Sequence, residues 1–329
     1  MEGFFWTEPL HQLRWSPSPR NRGEDRLDNL THSLAGAVLG RMGFKRLSPR
    51  AMPAMIIAAN LPDIDSFIAP WLNVSARTFH RGFTHGVGGL LVMPFVTVAI
   101  IWLWERLRPG KEGPLRLGGL LLACAIATLS HPLLDFMNTY GVRFLEPLSH
   151  RWSYGDILFI VDPWIWIAFI LGLELSWKAE RQGGDWRMPA IVAFGGVLVY
   201  IAFNAGISAR AVATVRPRIE RIETPRMIVA GEVPLTFWKR QVMWRGDKLG
   251  GTAEYNGLTG QLRLDPQVYP LNLDDPRLIR AARTDPKVRD FLFWSRMPYV
   301  IERDGRAYLS DQRFPALRSV GFMVPLDNR

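Results

Sequence analysis

Residue types that bind metal ions are concentrated in five short motifs of this chain. Five of the six histidines lie between positions 32 and 150, interspersed with aspartates. The motifs are NLTHSLAG with His32, NLPDID with Asp63 and Asp65, HRGFTH with His80 and His85, SHPLLDF with His131 and Asp135, and YGDILFIVDP with Asp156 and Asp162. Imidazole and carboxylate groups without thiolates suit zinc, manganese or iron. We therefore predict a site for one to three divalent transition-metal ions, with zinc as the first candidate.

Local spacing within these motifs favours a shared site. His131 and Asp135 are four residues apart, so both lie on one face of a helix. Asp63 and Asp65 are two apart after a proline, and in an extended stretch their carboxylates project to the same side. His80 flanks a glycine-containing turn that can bring its ring close to that of the next histidine. Taken singly, these motifs are more often helix caps, turns or interfacial residues, and it is their convergence on one face that favours a metal site.

Clustered divalent metals polarise a phosphoryl oxygen and generate hydroxide near neutral pH. The sequence therefore predicts hydrolysis of an ester, with a lipid-like or envelope phosphoester as the substrate. Asp65 or Asp162 is predicted to accept a proton or to brace a histidine ligand. Arg81 is predicted to steady the phosphate. The predicted metal ligands are His32, Asp63, His80, His85, His131 and Asp135.

Long apolar runs predict how these residues are positioned. A helix that crosses a bilayer needs about 20 apolar residues, and residues 86–104 and 189–209 carry no charge at all. Together with 117–134 and 157–177 they form four predicted membrane segments. Residues 30–44 and 50–61 are shorter and are predicted to be tilted, re-entrant or packed among the spanning helices. Their Gly and Ala content favours close helix contacts.

Basic residues predict the orientation of these segments. The loops 41–50, 105–116 and 178–188 hold eleven Lys and Arg residues, whereas 62–85 and 135–156 hold four. The positive-inside rule then places the first three loops in the cytoplasm and every His/Asp motif on the opposite face. The net charge of +10 is explained by these loops and anionic lipid, so no nucleic acid is expected as a partner. The single cysteine, Cys124, forms no intrachain disulfide.

The predicted fold is an α-helical polytopic membrane domain followed by a smaller, β-rich α+β soluble domain. We predict a flexible tail (1–28), a membrane domain with the metal site (29–209), a linker (210–224) and the soluble domain (225–329), on the non-cytoplasmic side. In the soluble domain, segments in which apolar and polar residues alternate are separated by glycines, a pattern that predicts strands. Residues 276–293 predict helix with a break at Pro286, and Asp304-Gly305 predicts a hairpin turn.

The order of the motifs resembles the membrane-bound metal-dependent hydrolase family typified by YdjM, also called LexA-regulated inner-membrane hydrolases. The resemblance covers about residues 28–177, and the strings FLFWSRMPYV and AYLSDQRF resemble the tail domain of longer members. It implies a helical, metal-dependent hydrolase of the bacterial inner membrane. That family is distantly similar to zinc-dependent phospholipase C and P1-type nucleases, a likeness that implies ligand roles for His32, Asp63, His80, His131 and Asp135. Those enzymes also use the mature N-terminal amine as a ligand, where this chain has a long tail. Their later HxxxE helix has no match here, and His150 and Asp162 are candidate substitutes for it.

Two other functions fit the same residues. A proton- or metal-coupled transporter would use His and Asp groups as an ion path, but it predicts ionisable groups in the middle of the spans. Here the motifs lie at helix ends on one face. A non-catalytic envelope protein, with a structural metal and a C-terminal domain that binds a partner, is a third interpretation that the sequence does not exclude. The sequence leaves the oligomeric state open.

Overall fold

The computed structural model describes residues 22–72, 74–314 and 322–327. Residues 1–21 of the predicted tail, with His11, lie outside the described residues. The last part of that tail, residues 22–28, begins the first helix.

Helices form most of the described chain from residue 22 to residue 219. Within the described residues, three of the helices are long and apolar enough to cross a membrane. The helices in order are α1 (Arg22–Arg41), α2 (Ala51–Asn60), α3 (Ile64–Ile68), α4 (Ala76–Phe79), α5 (Val87–Leu107), α6 (Leu117–Met137), α7 (Pro163–Arg181) and α8 (Arg187–Ile219). The predicted membrane segments 86–104, 117–134 and 189–209 therefore coincide with α5, α6 and α8.

The fourth predicted segment, 157–177, is corrected by the structure. Helix α7 begins only at Pro163, because the Asp162 carboxylate caps its N-terminus by accepting from the Trp164 and Ile165 amides. Its second half carries Glu174, Lys178, Glu180 and Arg181. Helix α7 is thus not among the helices that qualify as spans by length and composition.

The two shorter predicted helices pack closely, as their Gly and Ala content indicates. A Cβ on Gly36 of α1 would lie 2.8 Å from the Met55 carbonyl oxygen of α2. Helix α2 turns its buried alanines, including Ala54 and Ala58, toward a core shared with Ile101 of α5 and residues of α6. Small side chains at this interface let the helix backbones approach each other.

Basic loops meet at the helix ends away from the His/Asp motifs. Arg41 forms an ion pair with Glu180, and Arg50 forms one with Glu105. The Arg116 guanidinium donates to the Arg46 carbonyl. The three loops that the sequence assigns to the cytoplasm thus lie together at one end of the bundle, while their sidedness in the membrane stays a prediction.

Helix α8 continues beyond the apolar segment and through residues 210–219 of the predicted linker. With 33 residues it is about 50 Å long, well over the thickness of a hydrocarbon core. Ile207, Ala211, Val215 and Ile219 recur every four residues, and this stripe is buried against the sheet of the C-terminal domain. The helix therefore carries the C-terminal domain as a direct extension.

The described part of the C-terminal domain is built on two antiparallel sheets. One sheet has the order β1-β2-β3-β4 with β5 paired to β3, and the other has the order β6-β7-β8. The strands are β1 (Met227–Glu232), β2 (Lys239–Arg245), β3 (Leu249–Asn256), β4 (Leu262–Leu264), β5 (Tyr269–Pro270), β6 (Pro298–Arg303), β7 (Arg306–Asp311) and β8 (Met323–Pro325).

Two local predictions for this domain are confirmed. Asp304 and Gly305 have φ of 50° and 70° and join β6 to β7 in a two-residue hairpin turn. The predicted helix 276–293 is divided at Asp285 into α9 (Pro276–Thr284) and α10 (Pro286–Trp294).

The C-terminal domain packs on the loop that follows α6. The Arg313 guanidinium donates to the Thr139 carbonyl at 2.8 Å, and Arg296 forms an ion pair with Asp156 at 2.7 Å. The domain therefore lies at the same end of the helices as the His/Asp motifs.

Candidate metal centre

Four ligand-type atoms converge between the start of α5 and the end of α6. Asp63 ends a single 3-10 turn, Leu61–Asp63, which follows α2 and holds Pro62 in its first turn. His85 lies two residues before α5, and His131 and Asp135 face the same point from one side of α6. These four residues form a group whose ligand atoms all lie within 4.8 Å of one another. His85, His131 and Asp135 are buried.

The spacing of these atoms fits a single metal ion. The Nε2 atoms of His85 and His131 are 3.0 Å apart. Both lie 3.3–3.4 Å from Asp63 Oδ1 and 3.2–3.5 Å from Asp135 Oδ2. Ligand atoms at the corners of a tetrahedron around zinc, each ~2.0–2.1 Å from it, lie roughly 3.3–3.4 Å apart. Neighbouring ligands of an octahedral ion lie about 3.0 Å apart, so manganese and iron fit the same spacing.

The hydrogen bonds of the Nδ1 atoms show which nitrogen of each histidine ring is left to bind a metal ion. The Thr84 hydroxyl donates its one hydrogen to Asp65 Oδ2 at 2.6 Å, so it can only accept from His85 Nδ1, 2.9 Å away. His131 Nδ1 lies 2.7 Å from the Ala59 carbonyl, which also only accepts. Both Nδ1 atoms therefore carry hydrogen, and in the neutral rings both Nε2 atoms present lone pairs to each other. Two facing lone pairs repel each other, so the arrangement favours a positive charge at this point, either a metal ion that both nitrogens bind or a proton on one of them.

Electrostatics at the same point favours positive charge. Burial raises the pKa of Asp63, but the charge of His131 and the hydrogen bonds from His131 and His85 together outweigh burial, and the pKa ends well below its usual range. Burial also raises the pKa of Asp65, which His80 and His85 in turn hold well below its usual range. Both groups are therefore carboxylates. Burial lowers the pKa of His85, yet the hydrogen bonds to Asp135, Asp63 and Asp65 raise it well above its usual value.

A second group of ligand-type atoms lies beside the first. Asp65, His80 and His85 could also hold an ion, and His85 belongs to both groups. The buried Asp65 carboxylate lies 2.7 Å from His80 Nδ1, and it accepts from the Arg81 amide at 3.2 Å and from the Thr84 hydroxyl. These bonds are those of a residue that braces histidines, the second of the two roles predicted for Asp65.

His32 and Arg81 both lie next to Oδ1 of Asp135, the carboxylate oxygen that does not belong to the four-atom group. The His32 ring stacks on His131 with centroids 3.7 Å apart, and its Nε2 lies 3.7 Å from Asp135 Oδ1. Arg81 NH2 is 2.9 Å from the same oxygen, while NH1 donates to Asn138 Oδ1. Arg81 is buried. These contacts orient Asp135, and the predicted contact of Arg81 with phosphate stays a prediction.

The remaining candidates lie outside the four-atom group. Asp162 caps α7 and accepts from the Tyr200 hydroxyl at 2.8 Å. A cavity of about 20 Å³, room for one water molecule, is lined by Asp162 on one side and by His32 and Asp135 on another. His150 is exposed and pairs with Glu146. The structure therefore does not bring His150 or Asp162 into the position of a further ligand next to the four atoms.

Sequence reasoning missed three groups that define this centre. They are the Thr84 hydroxyl, the Asn138 amide and the Ala59 carbonyl. The sequence offered a signal for Thr84, because this residue directly precedes His85 in HRGFTH. The roles of Asn138 and Ala59 depend on the packing of α2, α6 and the 80–85 turn, which no local pattern encodes.

Comparison with known proteins identifies the family. The model of the family described as YdjM inner membrane protein matches residues 27–211. The chain belongs to this family. The matched range contains every candidate ligand and ends within α8, so the C-terminal domain lies outside it.

Two curated relatives extend this result. The uncharacterized protein YfhP of Bacillus subtilis (strain 168) is 24% identical over 279 residues, which is 82% of this chain and 80% of YfhP. Because residues 1–211 are less than 82% of the chain, this likeness reaches into the C-terminal domain. The inner membrane protein YbcI of Escherichia coli (strain K12) is 32% identical over 177 residues, 46% of this chain and 98% of YbcI. No solved structure matches. The distant similarity to zinc-dependent phospholipase C and P1-type nucleases stays a prediction.

Proposed function

We propose that this inner membrane protein is a metal-dependent hydrolase that cleaves a phosphoester with a metal-activated water. The observation that supports this most is the meeting of two imidazole lone pairs and two carboxylate oxygens at 3.0–3.5 Å. Zinc is the first candidate for the metal. When bound, such an ion lowers the pKa of a coordinated water toward neutrality and polarises a phosphoryl oxygen.

The protein's own residues have distinct roles in this proposal. Asp63, His85, His131 and Asp135 hold the ion, and His32 packs against them. Asp65 fixes the His80 ring directly and the His85 ring through Thr84, so that the ligand nitrogen points inward. Arg81 offsets part of the charge of the buried Asp135.

The proposed reaction is hydrolysis of a phosphodiester. The water oxygen forms a new bond to phosphorus while the bond from phosphorus to the leaving alcohol breaks. The alcohol takes one proton of the water, and the other remains with the phosphate monoester or is released. The position of the ligands at one end of α5 and α6 favours an enzyme over a transporter, which needs ionisable groups along the span.

We also infer that the metal centre and the C-terminal domain face away from the cytoplasm. The basic loops at the opposite end of the bundle support this orientation.

Purified protein in nanodiscs tests the function. Hydrolysis of bis(4-nitrophenyl) phosphate and of a phospholipid is measured after loading with Zn²⁺, Mn²⁺ or Fe²⁺. We expect activity that a chelator removes and that falls at least about tenfold in His131→Ala, because an incomplete ligand shell loses metal. His150→Ala, which changes an exposed histidine of the same face, is the matched control. Absence of hydrolysis with a fully loaded centre would reject the proposal.

A further inference from the structure

A short apolar segment extends from the metal centre. Residues 66–76 read SFIAPWLNVSA and contain no charged residue. The structure describes residues 64–72 and 74 of this stretch, which we call the 64–74 segment, and in it Phe67 is 69% exposed, Trp71 is 88% exposed and Leu72 is 55% exposed. Contiguous exposed apolar side chains of this kind mark contact with a membrane or another protein.

The first residues of the 64–74 segment are attached to the metal centre. Asp63 precedes it, and Asp65 near its start binds His80, Arg81 and Thr84, which follow it. The segment is therefore held in place relative to the ligands.

Its backbone is suited to a lipid environment. The Ala69 amide donates to the Asp65 carbonyl at 2.9 Å, the Leu72 amide to the Ile68 carbonyl at 3.1 Å and the Val74 amide to the Ala69 carbonyl at 3.2 Å. Backbone groups that are bonded within a segment do not oppose its entry into lipid.

The segment begins at the end of α5 that carries further exposed apolar side chains, because Asp63, which precedes it, lies 3.4 Å from His85, two residues before α5. The Phe83 ring packs on Gly88 in the first turn of α5, where an added Cβ would lie 2.3 Å from it. Phe83 is 45% exposed, and Leu91 on the next turn is 65% exposed. Leu148 is 81% exposed and belongs to a turn whose Glu146 carbonyl accepts from the Gly88 amide. Because α5 can span the membrane, the occupant of this surface is the lipid that surrounds α5 rather than a protein.

The metal centre is least buried next to this segment. The side chains of His85, His131 and Asp135 are at most 1% exposed, whereas those of Asp63 and His80 are 14% and 31% exposed. Asp63 and His80 flank the 64–74 segment in the sequence. The approach to the ligands therefore lies at the base of the segment.

We propose that the 64–74 segment inserts into the leaflet on the side of the metal centre, and that the centre takes its phosphoester from a phospholipid headgroup of that leaflet. The insertion depends only on the exposed surface, whereas the substrate class rests on the proposed hydrolase function. Interfacial apolar segments enter to about 5–10 Å, which is the depth at which headgroups meet the acyl chains. A tryptophan is typical of this depth.

Depth-dependent quenching tests the insertion without any need for activity. Trp71→Cys, in a Cys124→Ala background, is labelled with a nitrobenzoxadiazole dye and reconstituted in phospholipid vesicles. Asp304→Cys, in the 89% exposed β6–β7 turn, is the control. We expect strong quenching at position 71 by lipids with a doxyl group near the headgroup, and at least about threefold less quenching by iodide than at position 304. Iodide quenching equal to that at position 304 would overturn the proposal.

The Trp71→Ser variant tests the substrate class. We expect its hydrolysis of phospholipid in vesicles to fall at least about tenfold, with metal content and hydrolysis of soluble bis(4-nitrophenyl) phosphate retained. Wild-type hydrolysis of vesicle phospholipid by Trp71→Ser would refute entry along the segment. If the wild-type protein hydrolyses neither compound, the proposed function and the lipid substrate fail together, while quenching still decides the insertion.

Discussion

His85 and His131 direct their Nε2 atoms at each other across 3.0 Å, while Thr84 and the Ala59 carbonyl hold the opposite ring nitrogens. Each ring is thus fixed by a partner that accepts the Nδ1 hydrogen. The two rings come from different parts of the chain, and Asp63 and Asp135 complete the group. The orientation of the two imidazoles therefore depends on Thr84 and the Ala59 carbonyl, which bond the ring nitrogens that face away from the centre.

Removal of the Thr84 hydroxyl tests whether this outer hydrogen bond orients the His85 ring. In Thr84→Val the His85 Nδ1 hydrogen loses its nearer acceptor and keeps only Asp65 Oδ2, 3.4 Å away, while Asp65 loses a donor, so the ring is held less firmly with Nε2 inward. We expect metal affinity to fall about 10- to 100-fold, as for other residues that orient metal ligands. Competition with a chromogenic chelator measures it.

Thr97→Val is the matched control for that measurement. Thr97 is also buried, but its hydroxyl donates to the Met93 carbonyl within α5. An equal loss of metal affinity in both variants would show that the effect comes from a buried threonine in general and not from the Thr84 relay.

Labelling with an impermeant thiol reagent tests the orientation. In a Cys124→Ala background, we expect Lys111→Cys in the basic loop to be protected in intact cells and to react only after permeabilisation. Asp304→Cys in the C-terminal domain should react in intact cells. The reverse pattern would place the metal centre on the cytoplasmic side.

The junction between α8 and β1 predicts a pH dependence of stability. Burial raises the pKa of Glu232 to about 8 from the usual 4.5, and the Asp162 carboxylate contributes to the rise, while Arg240 opposes it. The Tyr200 hydroxyl lies within 3.3 Å of Glu232 and 2.8 Å of Asp162. Because the folded state favours the protonated acid, its contribution to stability is complete below pH 4.5 and is lost as the pH rises through about 8.

Thermal unfolding measures this dependence. We expect the melting temperature of Glu232→Gln to change less than that of the wild type between pH 5 and pH 8, since the amide stays neutral throughout that approximate window. Glu254→Gln, on the exposed face of β3, is the control and should follow the wild type. A wild-type slope in Glu232→Gln would contradict the assignment.

Local patterns predicted much of the fold. The Asp304-Gly305 turn and the break at Pro286 depend on backbone preferences of a few residues, and the structure confirms both. The extension of α8 was missed because Arg210, Arg216 and Arg218 interrupt its apolar run. The signal was present in Ile207, Ala211, Val215 and Ile219, a four-residue repeat that buries one side of the helix.

The metal centre shows a different limit. The HxxxD spacing in α6 brings His131 and Asp135 to one point, as the helical period requires. His80, also predicted as a ligand, lies instead against Asp65 in the second group. Both histidines of HRGFTH are alike in the sequence, and only the packing of the turn on Asp65 and α6 distinguishes them.

Metal content per folded protein tests the central claim most directly. His131→Ala, Asp135→Ala and the control His150→Ala are purified without chelator, and elemental analysis is normalised to the monodisperse folded fraction. We expect the first two variants to lose most of the metal, because each removes one of four converging ligand atoms from a rigid helix. His150→Ala should keep the wild-type amount. Wild-type metal content in folded His131→Ala and Asp135→Ala would contradict the account, since the two residues would then be a buried helix-end pair and not ligands.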